Sequence, residues 1–127
     1  DITSIKLPNS LKKIYGGAFA KCSNLTSVNI PFHVERIGKG AFRECKKLSS
    51  VNLPDRTSVE NGAFSGCDGI KEIILPKRTI ALRSLSYRRL DYIFEGVDLT
   101  QCTLIASHEV KEELIIHYLE GYNIKYF

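Results

Sequence analysis

Three of the four cysteines recur at a nearly fixed spacing, and they are the residues of this sequence with the clearest potential for chemistry. Cys22, Cys45 and Cys67 each follow a phenylalanine at the same short distance, and successive cysteines are separated by almost equal lengths of chain. Thiols can coordinate zinc, but a zinc site needs closely spaced ligands such as Cys-x-x-Cys or paired histidines, and neither is present. The spacing therefore predicts a column of buried thiols on successive turns of a repeat, while a disulfide between neighbours stays open. Cys102 falls outside the column by its spacing, and we expect a buried thiol in the last strand.

No other arrangement of residues indicates catalysis. The sequence has no Gly-x-Ser-x-Gly, His-Glu-x-x-His, phosphate-loop or dinucleotide-binding pattern. His33 lies at a variable position of its repeat, and His108 and His117 belong to the predicted capping helix, so surface or packing roles are the simpler interpretation. We therefore expect a protein that is not an enzyme and has no cofactor and no metal site.

A single period governs three separate landmarks. The first is a series of aliphatic-proline pairs, Leu7-Pro8, Ile30-Pro31, Leu53-Pro54 and Leu75-Pro76. The second is the series of Ala-Phe pairs that contain Phe19, Phe42 and Phe64, and the third is the cysteines, which recur in step with those phenylalanines. Agreement among the three landmarks indicates a repeat architecture in which neighbouring units share one core.

The second unit shows how one repeat folds. "LTSVNIP" alternates buried and outward positions as a strand does, and its proline ends that strand. "VERIG" is a second extended piece that buries Val34 and Ile37, and "AFREC" turns Ala41, Phe42 and Cys45 inward. The phenylalanines and cysteines of this turn are predicted to form the structural core, together with Phe94 in the last repeat.

These residues carry a family resemblance. The pattern Leu-x-x-Val-x-Ile-Pro, followed by Val-x-x-Ile-Gly-x-x-Ala-Phe-x-x-Cys, resembles the BspA-like leucine-rich repeats, found largely in surface proteins of host-associated bacteria and in some protists. The resemblance implies a right-handed leucine-rich-repeat solenoid, mostly β with short turns and 3-10 segments. It also implies a secreted or cell-surface location and a role in recognition or adhesion. No targeting signal accompanies that expectation within these residues.

The repeats divide the chain into three parts of one continuous domain. Residues 1–76 are regular repeats that keep the common period, residues 77–106 form a degenerate last repeat with an insertion, and residues 107–127 form a cap. The cap is predicted as a helix from Ser107, a suitable N-cap, to Gly121, followed by a closing strand in "YNIKYF". No comparable cap precedes the first repeat, so we expect further repeats on the N-terminal side in the full protein.

The composition limits the classes of partner that we expect for this chain. Hydrophobic residues make up 43% of the chain and charged residues 25%, as in an ordinary globular unit. No apolar run is long enough to span a membrane. The net charge of +4 permits contact with acidic surfaces but is too small to argue for a nucleic acid, which we therefore do not expect as the partner.

Two surfaces are the candidates for binding. Outward residues of the main strands form two rows of mostly small polar groups, namely Ser4, Ser27, Ser50 and Glu72, and beside them Lys6, Asn29, Asn52 and Ile74. A basic cluster follows in the irregular fourth repeat and contains Lys77, Arg78, Arg83, Arg88 and Arg89. The rows suit an extended partner, and the family resemblance implies that this partner is an extracellular protein or glycan. Two alternatives stay open: a purely structural end of a longer repeat stalk, and the binding of a sulfated polyanion by the basic cluster.

Overall fold

The chain winds into a solenoid of short parallel strands. This structure, a computed structural model, describes residues 2–77, 89–108, 119 and 121–127. Its strands are β1 (Ser4–Ile5), β2 (Lys13–Ile14), β3 (Ser27–Val28), β4 (Arg36–Ile37), β5 (Ser50–Asn52), β6 (Ser58–Val59), β7 (Glu72–Ile74), β8 (Thr103–Ala106) and β9 (Asn123–Tyr126). Among the residues described between β7 and β8, Arg89–Ile93 form an α-helix, α1, and Leu99–Gln101 form a 3-10 helix.

The strands form three parallel sheets along two sides of the coil. On the main side, β1 pairs with β3, and β5, β7, β8 and β9 follow as a four-stranded sheet; on the second side, β2, β4 and β6 pair in that order. The predicted alternation holds, because Leu25, Val28 and Ile30 are all buried. The leucine-rich-repeat solenoid is thus confirmed. Its right-handed winding and the division of the chain into three parts stay predictions.

The corner after the second strand carries the predicted core columns. The rings of Phe19, Phe42, Phe64 and Phe94 stack with centroids 5.3, 5.1 and 5.2 Å apart. At this corner each coil donates to the next: the Phe19 amide bonds to the Ala41 carbonyl at 2.7 Å and the Phe42 amide to the Ala63 carbonyl at 2.8 Å. Backbone hydrogen bonds therefore hold the coils together at the same level as the stacked rings.

The cysteine column is a column of free thiols. Cys45 and Cys67 are fully buried and donate Sγ–H to the carbonyls of Phe19 at 3.2 Å and Phe42 at 3.0 Å, in each case across to the preceding coil. All four cysteines are free. The neighbouring Cys45 thiol and burial raise the pKa of the Cys67 thiol, and burial raises the pKa of the Cys102 thiol. Cys45, Cys67 and Cys102 therefore act as small core residues that also satisfy main-chain carbonyls, whereas Cys22, which was predicted to be buried, is only partly buried.

The last repeat departs from the others in two places. Val97 takes the fourth position of the cysteine column, since its amide bonds to the Phe94 carbonyl at 2.9 Å as that of Cys67 bonds to Phe64 at 3.2 Å. Cys102 is buried as expected, but it precedes β8, and β9 continues the sheet beyond that strand. The closing strand is confirmed as β9. The capping helix falls mainly on residues 109–118 and 120, which lie outside the described residues.

Candidate recognition surface

The outward rows are aligned across the main side by the strand register. Ser4 pairs with Ser27, and Glu72 pairs with Ser50 on one side and with Thr103 on the other. In the second row Asn52 pairs with Ile74, while Lys6 and Asn29 are exposed just beyond the ends of β1 and β3. The structure therefore places each predicted row residue on this one side of the solenoid, which we call the strand face. Whether it binds a partner stays a prediction.

The strand face is longer than the sequence indicated. Thr103 and Asn123 continue the first row, and Ile105 and Lys125 continue the second, because β8 and β9 pair in parallel register with β7. Their spacing from Glu72 and from each other departs from the period of the regular repeats. The period alone could not have found them. Only the pairing of β9 with β8 shows that Asn123 and Lys125 extend the two rows.

Asn52 has a structural function within the rows. The main-side ladder is interrupted between β3 and β5, and the Asn52 side chain spans the gap. Its Oδ1 accepts from the Ile30 amide at 2.9 Å, and its Nδ2 donates to the Ile30 carbonyl at 2.9 Å. A carboxamide suits this position because it offers a donor and an acceptor side by side. Its double hydrogen bond to Ile30 replaces a missing piece of backbone ladder.

Substituting Asn52 should therefore lower the stability of the solenoid, in addition to any effect on binding. We expect Asn52→Ala to lower the free energy of unfolding by about 1–3 kcal/mol, because both main-chain groups of Ile30 lose their partner. Asn29→Ala is the matched control, since Asn29 is exposed and makes no side-chain hydrogen bond in the described part of the chain. Its expected effect is within about 0.5 kcal/mol. Equal midpoints for the two variants in urea unfolding would refute the bridging role.

A groove adjoins the strand face where three main strands end at their prolines. We call it the proline groove; it encloses about 510 Å³ and is lined by Ile30, Phe32, Asn52, Leu53, Pro54, Asp55, Arg56, Ile74, Leu75, Pro76 and Lys77. Phe32 is 66% exposed, and its ring centroid lies 3.9 Å from that of His33. Sequence analysis missed the groove, although Phe32, Asp55 and Lys77 each directly follow one of the repeated prolines.

The charges at the groove are arranged unevenly. The Asp55 carboxylate accepts the Lys77 backbone amide at 2.6 Å, so it is directed at the main chain of the next coil. The Lys77 ammonium lies 5.8 Å from the centre of the Phe127 ring. Neither Arg56 nor Lys77 forms a salt bridge with an acid among the described residues. The groove therefore presents two cations without a paired carboxylate.

The predicted basic cluster is described only at its two ends. Lys77 lines the proline groove, whereas Arg89 donates to the Val59 carbonyl at 2.6 Å and to the Asn61 side chain. Arg89 thus fastens α1 to the end of β6, which is a structural role. Arg78, Arg83 and Arg88 lie outside the described residues, so the cluster as a polyanion site stays a prediction.

A smaller depression lies on the second side, and two of the charged side chains that line it are hydrogen-bonded to each other. It encloses about 220 Å³ between Tyr15, Arg36 and Glu60. Glu60 accepts from the Arg36 guanidinium and, at 2.8 Å, from the Lys39 amide, and these bonds lower the pKa of its carboxyl. The carboxylate therefore ties neighbouring coils together.

The described residues contain no group suited to metal binding. No three side chains among histidine, cysteine, aspartate and glutamate converge within the part of the chain that the structure covers. His33 packs against Phe32, and His108 is exposed, with its backbone amide bonded to the Phe127 carbonyl at 3.3 Å. His117 lies outside the described residues. Within the described helices, none is long and apolar enough to cross a membrane.

Comparison with known proteins agrees with this geometry. The family model of the BspA type leucine-rich repeat region matches residues 1–113 in six copies. The crystal structure of a leucine rich cell surface protein from Faecalibacterium prausnitzii A2-165 is similar at a TM-score of 0.60 and 24% identity, over 99% of this chain and 32% of that one. The likeness shows the fold alone, and this chain spans about a third of that protein. None of the curated proteins matches.

Proposed function

Because this chain belongs to the BspA type leucine-rich-repeat family, we propose that it is a cell-surface or secreted recognition module that binds an extracellular protein or glycan without catalysis. The observation that carries the proposal is the strand face. Its rows stay in register across β5, β7, β8 and β9, and half of the side chains in them, those of Ser50, Asn52, Thr103 and Asn123, are small and polar. Repeat proteins commonly bind extended partners on such stacked surfaces, through several modest contacts in a row.

The core columns also support the proposal, because they separate the residues that stabilise the fold from the residues that face outward. Phenylalanine and cysteine stack inside the coil, so the residues that repeat most regularly are occupied in holding the coils together. Among the described row residues of the strand face, Asn52 alone has a side chain that bonds to the main chain of another coil. Variation of the outward residues can therefore change the partner without disturbing the fold, as a recognition module requires.

The test is a variant that places two bulky cations on the strand face. We expect Ser27→Arg combined with Glu72→Arg to weaken binding to a panel of immobilised matrix proteins and glycans by about tenfold, through steric and charge mismatch. The matched control is Ser23→Arg with Glu95→Arg, which makes the same chemical changes at exposed positions off the strands. Biolayer interferometry at physiological salt measures both variants.

Three outcomes separate the candidates. Loss of binding in the first variant alone supports recognition through the strand face. Equal binding by both variants refutes it. If the unaltered chain binds nothing on the panel, a structural role as the end of a repeat stalk is the better account.

A further inference from the structure

The proline groove has the dimensions of a small-ligand site. Its volume of about 510 Å³ falls within the range of roughly 300–1,000 Å³ that is typical of such sites. Three successive coils contribute one proline corner each, so the groove is elongated along the solenoid axis with strands about 4.8 Å apart. The floor is largely apolar, with Leu53, Pro54 and Pro76, and the few polar groups are at defined positions. This shape suits one unit of a linear chain.

The charge of the groove selects an anion. Arg56 and Lys77 both line it, and neither forms a salt bridge within the described residues. The one acid of the lining, Asp55, accepts the backbone amide of Lys77 at 2.6 Å. A guanidinium binds a planar carboxylate through two parallel hydrogen bonds, so Arg56 fits a carboxylate in particular.

The uncharged groups indicate a sugar. Phe32 is a large apolar ring that is 66% exposed at one end of the groove, and such a ring can pack against the C–H face of a pyranose. Asn52 also lines the groove, and its side-chain Nδ2 uses one hydrogen on the Ile30 carbonyl. The second hydrogen of that amide is available to a hydroxyl group.

We propose that the proline groove binds a uronic acid unit within a linear acidic glycan. Its carboxylate lies at Arg56 and Lys77, and its ring packs against Phe32. The inference rests on the proposed recognition function and names its ligand class. It differs from polyanion binding by the basic cluster, because it requires a carboxylate and a sugar ring at one site and requires no sulfate.

The test uses a hyaluronan oligosaccharide, which carries carboxylates without sulfates. A chitin oligosaccharide of equal length is the neutral comparison. Titration calorimetry at physiological salt should show binding of hyaluronan only, and Arg56→Gln or Phe32→Ala should each weaken it by about tenfold or more. Arg43→Gln is the matched control, since it removes the same charge outside the groove lining. Its affinity should stay within about twofold of the unaltered chain.

Several results would overturn the inference. Equal binding of chitin removes the role of the carboxylate, and stronger binding of a sialylated oligosaccharide or an acidic peptide assigns the groove to another ligand class. If hyaluronan does not bind while a panel partner does, the groove inference fails and the recognition function stands. If neither hyaluronan nor any panel partner binds, both fail.

Discussion

Replacing Phe42 by alanine is expected to lower the free energy of unfolding by about 3–5 kcal/mol. The Phe42 side chain is fully buried, and its ring stacks between Phe19 and Phe64 with centroid distances of 5.3 and 5.1 Å. Truncation removes contacts on both faces of the ring. The neighbouring coils cannot close the cavity, because backbone hydrogen bonds fix their separation at this corner.

Urea unfolding of the purified chain measures this loss. Phe32→Ala removes the same ring from an exposed position and should change stability by less than about 0.5 kcal/mol. A domain of ordinary stability has roughly 5–15 kcal/mol, so Phe42→Ala can leave little folded protein. In that case Phe42→Leu, with an expected loss of about 1–2 kcal/mol, provides the measurable variant. A loss below about 1 kcal/mol for Phe42→Ala would contradict the stacked core.

Gly38→Ala is expected to cost about 2–3 kcal/mol through overpacking. A Cβ at Gly38 would lie 2.5 Å from the Gly16 nitrogen and 2.9 Å from the Tyr15 carbonyl carbon, which are backbone atoms of the preceding coil. Backbone cannot rotate away as a flexible side chain can. The Gly38 amide also bonds to the Ile14 carbonyl at 2.7 Å, so separating the coils would strain that bond.

Gly17→Ala distinguishes the effect on stability of a close approach between coils from the effect of a left-handed backbone conformation. A Cβ at Gly17 would meet nothing within 4 Å, but Gly17 has a φ of +71°. Its expected cost is about 1 kcal/mol, from the left-handed conformation alone. Thermal unfolding of both variants makes the comparison. If Gly38→Ala is no more harmful than Gly17→Ala, the close approach of the coils is not what requires glycine at residue 38.

The core columns could be predicted from sequence because stacking repeats the same environment at every coil. Phe42 and Cys45 have equivalents one period away on both sides, so one interpretation serves three coils at once. Phe94 could be assigned to its column from the pattern around it. The valine at residue 97 could not, because a column defined by cysteine gives no signal when another small apolar residue replaces it.

Features that join coils at irregular points could not be predicted. Asn52 is one of two asparagines in its row, and only the interrupted ladder between β3 and β5 distinguishes it from Asn29. The helix α1 follows a long insertion whose length hides the period. The proline groove depends on side chains from three coils, each of which gives no signal by itself in the sequence.

The recognition function is tested most directly by binding of the unaltered chain to the panel of matrix proteins and glycans, at low and at physiological salt. The proposed function predicts saturable binding to at least one member of the panel that persists at physiological salt, where screening weakens exposed charge pairs. Binding that disappears at physiological salt would contradict it and favour a polyanion site. Absence of binding at both salt concentrations would contradict it as well, and would leave the solenoid a structural element.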